Sequence, residues 1–146
     1  MTYEREGESK LAISHYEKSV ALFKESGDST LEAWSLDGLG RVFHLILREY
    51  EKALGYYQRA FEIRKASGND LAAAGTKVNM AGVYMGQGDY AKGLPEYQEA
   101  LSTVVNGERQ DAVAKGFQAV ILSNIGEIYS RQEAYTIALD YFEQGL

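Results

Sequence analysis

Residues 79–101, NMAGVYMGQGDYAKGLPEYQEAL, read as two amphipathic helices folded back on each other through the turn Gly86-Gln87-Gly88-Asp89. Residues 124–146, NIGEIYSRQEAYTIALDYFEQGL, set Asn, a small residue, Tyr, a second Tyr, another small residue and an aromatic at the same offsets. Residues 39–61 form a weaker third copy and residues 3–20 a partial fourth. A repeated helix pair buries its apolar face against its neighbours rather than in one central core, so 146 residues are read as an array.

The copies align residue by residue. Leu39-Gly40, Met80-Ala81 and Ile125-Gly126 are followed by the aromatics Phe43, Tyr84 and Tyr129. The second helix repeats at Ala12, Ala53, Gly93 and Ala138, then at Tyr16, Tyr57, Tyr97 and Phe142, then at Ser19, Ala60, Ala100 and Gly145. Antiparallel helices approach to roughly 8–10 Å only where the crossing residues are small, which predicts Gly40, Ala81 and Gly126 facing small residues on the partner helix. A glycine inside a helix costs about 1 kcal/mol against alanine, so each needs a packing reason.

These residues resemble the tetratricopeptide repeat family, whose first helix carries an aromatic, a Leu-Gly pair and a Tyr, and whose second carries Ala, an aromatic and Ala. The resemblance implies an all-α fold, a right-handed superhelical solenoid of antiparallel helix pairs. The ranges are a partial repeat over 1–27, repeats over 30–67 and 70–105, and a repeat over 109–146 cut off in its second helix. Ala12, Ala53, Gly93 and Ala138 are spaced by 41, 40 and 45 residues. That spacing is similar to the longer-helix branch seen in kinesin light chains, LGN-type polarity adaptors and bacterial regulators. Beginning with Tyr3 in mid-repeat and stopping inside a second helix, the chain reads as a window on a longer array with open ends available for self-association.

Taken in order, a helix turn is expected to end before Gly7 and a second helix to run from Glu8 to Ser26 with Leu11, Ala12, Tyr16, Val20 and Phe23 on its apolar stripe. Gly27-Asp28-Ser29-Thr30 supplies a stop and a cap. The next helix, about Thr30 to Leu47, should turn Trp34, Leu39, Val42, Phe43 and Ile46 inward. Its copy departs from the others: Gly40 to Tyr50 is one residue longer than Ala81 to Tyr90 or Gly126 to Tyr135, and Leu47-Arg48-Glu49 replaces the turn glycine. Pro95 predicts a kink near Ala91 to Pro95. The surplus before the last repeat predicts a helix lengthened around Arg109 to Gln118, after a turn at Asn106-Gly107.

Composition narrows function. The net charge of −6, from 15 basic and 21 acidic residues, disfavours a phosphate-tracking surface and so a nucleic-acid partner. Cysteine is absent, which removes disulfides, thiolate ligands and cysteine nucleophiles. No apolar run approaches the roughly 18 residues that span a bilayer, and the amino end has no secretory segment, so the expectation is a cytoplasmic chain without membrane contact. No His-Glu-x-x-His or His/carboxylate spacing points to a metal. Gly38-x-Gly40 and Gly86-x-Gly88 lack the strand and the third glycine of a phosphate loop. His15 and His44 read as packing or solvated residues. No enzyme, metal or cofactor is expected.

In the family the first helix of each unit lines the concave side, and residues there off the apolar stripe meet the ligand. By that resemblance the peptide-binding candidates are Asp37, Arg41, His44, Asn79, Met85, Asn124, Glu127 and Arg131, beside Val78, Gly82, Ser123 and Ser130. Asn79 and Asn124 occupy a place where relatives hydrogen-bond a bound peptide backbone, and an amide both donates and accepts. The bland alternative is that both satisfy neighbouring helix ends. A carboxylate clamp is poorly served, since Val120 stands where a base would help and Asp37 and Glu127 would repel an anion. The function implied is a scaffold or adaptor that binds a peptide or protein segment in its groove. The rival is a regulatory sensor holding a small effector or signalling peptide and controlling an attached domain.

Overall fold

Glycine and aspartate decide where the helices stop and restart. The computed structural model describes residues 2–146, with side chains from Gly7 onward, and every regular element among them is helical. Helix α1 covers Thr2–Ser26, α2 Ser29–Arg41 continuing into a π-helical segment Val42–Leu47, and α3 Tyr50–Ala66. Helix α4 covers Asp70–Gln87, α5 Tyr90–Asn106, α6 Ala112–Arg131 and α7 Tyr135–Gln144. Gly27 at φ 77° and Gly68 at φ 71° take the left-handed conformation that ends α1 and α3. Asp28, Asp89 and Asp111 then accept the N–H groups of Leu31, Lys92 and Ala114, capping α2, α5 and α6.

Two compact units result, Met1–Asn69 and Asp70–Leu146. In the first, Ala33, Leu36 and Ala60 form a core against which Val20, Tyr56 and Ile63 pack, and Leu39 and Tyr57 are buried as well. In the second, Ala74 and Ala81 of α4, Tyr97, Ala100 and Val104 of α5, and Ile121, Ile125 and Ile128 of α6 share one core. Each fully buried Leu or Ile contributes on the order of 1.5–3 kcal/mol. Gly40, Ala81 and Gly126 are all buried.

What the small residues face differs from the sequence expectation. A Cβ on Gly40 would stand 2.5 Å from the Tyr57 ring, and one on Gly126 would stand 2.7 Å from the Phe142 ring. These glycines make room for an aromatic face, not for another small residue. Close backbone approach appears at the other partner, where a Cβ on Gly93 would meet the Ala81 carbonyl at 3.5 Å. At signature positions the residue types alternate in sequence, Gly40 with Ala53, Ala81 with Gly93 and Gly126 with Ala138, so each pair holds one glycine and one alanine.

Other expectations shift as well. Helix α1 runs through Gly7 without a break; nothing lies within 4 Å of a Cβ there and the residue carries no positive φ, so its glycine is only a mild propensity cost. The side chain of Tyr3 lies outside the described residues. Trp34, expected inward, is 58 % exposed. Its ring tilts against Tyr16 at 5.9 Å, and it is the Tyr16 ring that fills the space over Gly38. Leu11 also faces outward. Pro95 lies inside helix α5, at the end of the Ala91–Pro95 stretch where a kink is expected.

The extra residue between Gly40 and Tyr50 is absorbed by the π-helical segment, whose wider turn accommodates one more residue than an α-turn. The closing hydrogen bond is the same in all three copies. The N–H groups of Glu49, Asp89 and Ala134 donate to the carbonyls of the signature aromatics or their neighbours at the same place, Phe43, Tyr84 and Tyr129, each at 2.9 Å. Arg48 at φ 55°, Gly88 at φ 73° and Glu133 at φ 61° are the equivalent left-handed residues. The phase change carries Ile46 off the inward stripe into solvent.

The surplus before the last pair divides between helix and connection. Gly126 lies fourteen residues after the start of α6, whereas Gly40 and Ala81 lie eleven after theirs. Arg109 and Gln110, expected within a helix, belong to the connection. There Arg109 pairs with Asp111, and the Gln110 side-chain amide donates to the carbonyls of Val104, Val105 and Gly107, closing the end of α5 that has no left-handed glycine.

Candidate functional site

The candidate residues fall in two sets, one per unit. In the first unit Asp37 of α2 is turned toward α3 and forms an ion pair with Arg64, itself mostly buried. Burial pushes the Asp37 carboxyl above its ordinary value, although Arg64 and Arg41 pull the other way. Asp37 is thus engaged internally, and its expected place on a ligand surface is taken by a structural pair. Arg41 is exposed. His44 is half-buried in the π-helical segment, its ring edge-on to Tyr50 at 6.1 Å.

In the second unit Asn79 precedes buried Met80 on α4, and Asn124 precedes buried Ile125 on α6. Both side chains are half-buried, and among the described residues neither amide has a hydrogen-bond partner or appears among the deeply buried unsatisfied atoms. They do not satisfy neighbouring helix ends. Each is left with one acceptor and two donor hydrogens open to a ligand or to water. Met85 and Val78 instead pack against the core of the unit, as aliphatic side chains on the α5-facing edge of α4 should. Gly82 and Ser130 are half-buried and Ser123 is exposed.

Glu127 and Arg131 are one turn apart on α6. The Arg131 Nε donates to Glu127 at 2.8 Å, and the Arg131 guanidinium is held above its ordinary value first by Glu127 and then by the Tyr90 hydroxyl of α5. Both side chains are about half-exposed, so solvent screens the pair and it adds little to the stability of the helix. It orients two opposite charges beside Asn124.

The first-unit residue equivalent to Asn79 and Asn124 is Gly38, buried under the Tyr16 ring. The amide pattern is therefore a property of the second unit alone. The sequence reading missed Lys77 of α4, which reaches Glu96 at 2.8 Å and Glu99 at 3.0 Å on α5. Burial would lower the Lys77 value, but the hydrogen bonds that its ammonium donates to Glu96 and Glu99 outweigh it and hold it above its usual range. No signature position marks that triad; only its charge pattern across adjacent helices could have suggested it.

With helix pairs, small crossing residues and aromatic wedges in place, the sequence can be compared with known families. The tetratricopeptide repeat model matches residues 1–66 and 72–146. The chain belongs to the tetratricopeptide repeat family. A comparison with curated protein sequences gives no match. Among solved structures, BtubC (BKLC) from P. vanneervenii is similar with a TM-score of 0.81 and 22 % identity, over 98 % of this chain and 57 % of that one. MamA is similar with a TM-score of 0.60 and 18 % identity, over 91 % of this chain and 75 % of that one. At these identities the likeness concerns the fold, and the chain spans little more than half the length of BtubC. Tetratricopeptide repeats generally mediate protein–protein interaction. Among the described residues no His/Cys/Asp/Glu group has the spacing of a metal site, and no helix is long and apolar enough to cross a membrane.

Proposed function

We propose that the chain is a scaffold or adaptor module that binds a peptide or protein segment in extended form through the face carrying Asn79 and Asn124. The observation that carries this reading is the pair of half-buried amides, at equivalent register on α4 and α6, with no hydrogen-bond partner among the described residues. A half-buried amide without a partner in the chain keeps its donor and acceptor available for exchange between water and a bound segment. A peptide backbone offers a donor and an acceptor at each residue, which matches the amide's own pair. Glu127 and Arg131, on the same helix as Asn124, bias the charge of the segment bound. The module acts by binding rather than by catalysis, and the compartment it fits is the cytoplasm.

Peptides selected from a random library against the intact chain test this. Replacing Asn79 and Asn124 together by Ala should weaken those peptides about tenfold or more, roughly 1.4 kcal/mol, while far-ultraviolet circular dichroism keeps its helical form. Unchanged affinity removes both residues from the binding face.

A further inference from the structure

The same turn occurs three times in this chain, and one copy is unlike the others. Between the aromatic and the left-handed residue the second unit carries Met85-Gly86-Gln87 and Ser130-Arg131-Gln132, whereas the first carries His44-Leu45-Ile46-Leu47. The extra residue and the π-helical winding occur only here among the three turns. Leu45 is 62 % exposed and Ile46 53 %. A turn whose other two copies expose no large aliphatic side chain here presents two adjacent ones to solvent, and π turns recur where a helix does something besides span distance.

Charge sets this tip apart as well. In a chain of net charge −6, residues 41–52 hold Arg41, Arg48 and Lys52 against Glu49 and Glu51. Glu49 is engaged by Lys52, whose ammonium also stands 5.3 Å over the Phe43 ring. Arg41 and Arg48 are both exposed. The tip is thus an apolar ridge with basic edges on an acidic protein.

We propose that Leu45 and Ile46, edged by Arg41 and Arg48, form a second docking surface for an acidic segment of a partner protein that brings apolar side chains to the ridge and carboxylates to the arginines. Arginine favours this partner because its planar fork meets a carboxylate through two hydrogen bonds. A second copy of the chain is disfavoured, since a two-fold contact through this tip would set like charges on each other. An anionic membrane is disfavoured too. Stable surface binding takes a larger apolar face and a denser basic cluster than this one.

The test selects peptides from a random library on the full chain and counter-selects on Leu45→Ser/Ile46→Ser, whose two sites are over half exposed and leave the helical dichroism unchanged. Expected binders are acidic, contain large apolar residues, and lose about tenfold or more in affinity on the double variant. They should lose severalfold on Arg48→Asn, which keeps a residue that accepts the left-handed conformation while removing the charge. Asn79→Ala/Asn124→Ala should leave them unaffected, separating this surface from the amide face. Binders that are basic, or that bind the serine variant equally well, overturn the proposal. So does sedimentation of the chain with phosphatidylserine vesicles, or a concentration-dependent dimer, if either is abolished by the serine pair while no acidic peptide is selected.

Discussion

The two units build the same helix pair and lock it with opposite charge order. In the first, an acid on the leading helix, Asp37, meets a base on the following one, Arg64; in the second, a base on the leading helix, Lys77, meets acids on the following one, Glu96 and Glu99. Neither set lies on a signature position. The repeating residues specify that two helices cross, and the residues between them make each crossing individual. The crossings differ in the same spirit: the Tyr57 ring over Gly40 is 1 % exposed and enclosed, whereas the Phe142 ring over Gly126 is 37 % exposed and has room to move.

The glycines give the largest expected contrast. Gly40→Ala should destabilise the chain by about 2–3 kcal/mol, because the new methyl meets an enclosed ring and the helix-propensity gain of about 1 kcal/mol does not offset overpacking. Gly126→Ala should cost less than about 1 kcal/mol, since Phe142 can swing aside. Urea denaturation followed by circular dichroism measures both, and equal losses would erase the distinction between enclosed and movable rings.

The ion pairs come next. Asp37→Leu removes the carboxylate that the mostly buried Arg64 guanidinium faces and should cost about 2 kcal/mol, while Asp37→Leu with Arg64→Met should return to within about 1 kcal/mol of the original. Lys77→Met strands the mostly buried Glu96 carboxylate and should cost a comparable amount, about 2 kcal/mol, whereas Glu99→Gln should cost little because Glu99 stands largely in water. The first pair also predicts a pH dependence. With the folded Asp37 value raised, the folded chain holds this proton at a pH where the unfolded chain, near pKa ~3.9, has released it. The Asp37 contribution to stability therefore rises as pH falls from the raised folded value toward the unfolded one, and Asp37→Asn should lose that slope. A wild-type slope retained by the variant would assign it to other carboxylates.

The smallest effects test the turns. Arg48→Gly should stabilise by about 0.5–1 kcal/mol, relieving a left-handed conformation that costs a non-glycine residue about 1–2 kcal/mol while adding backbone freedom to the unfolded chain. Gly88→Ala, at the equivalent position in the second unit, should destabilise by about 1 kcal/mol. Opposite signs in a thermal melt would establish that the π-helical winding leaves the turn itself unchanged.

Much of the fold can be read from residue type and spacing, because a helix pair is a local structure with a strong period. Small residues at Gly40, Ala81 and Gly126, stop signals at Gly27 and Gly68, and caps at Asp28 and Asp89 act within a few residues of themselves. The one-residue surplus before Tyr50 was visible as a length, but not as a π-helical turn, since an added residue can equally enter a loop. The candidate site was less legible. Asn79 and Asn124 were visible as a repeated position, yet only coordinates separate an amide without an internal partner from one that caps a helix. Asp37, Met85 and Trp34 changed places for the same reason: a polar or aromatic residue near the edge of a stripe is assigned by what stands opposite, and that neighbour is distant in sequence.

By itself the amino-acid sequence determined most of the helices, the ends marked by Gly27, Gly68 and Asp89, and the family the chain belongs to, since backbone propensity, capping and side-chain size are short-range properties. The tertiary structure alone decided that Tyr57 and Phe142 occupy the space left by glycines, that Asp37 faces Arg64, and that Leu45 and Ile46 meet water. Those outcomes depend on which surfaces remain after the helices have packed, and no local pattern encodes what is left over.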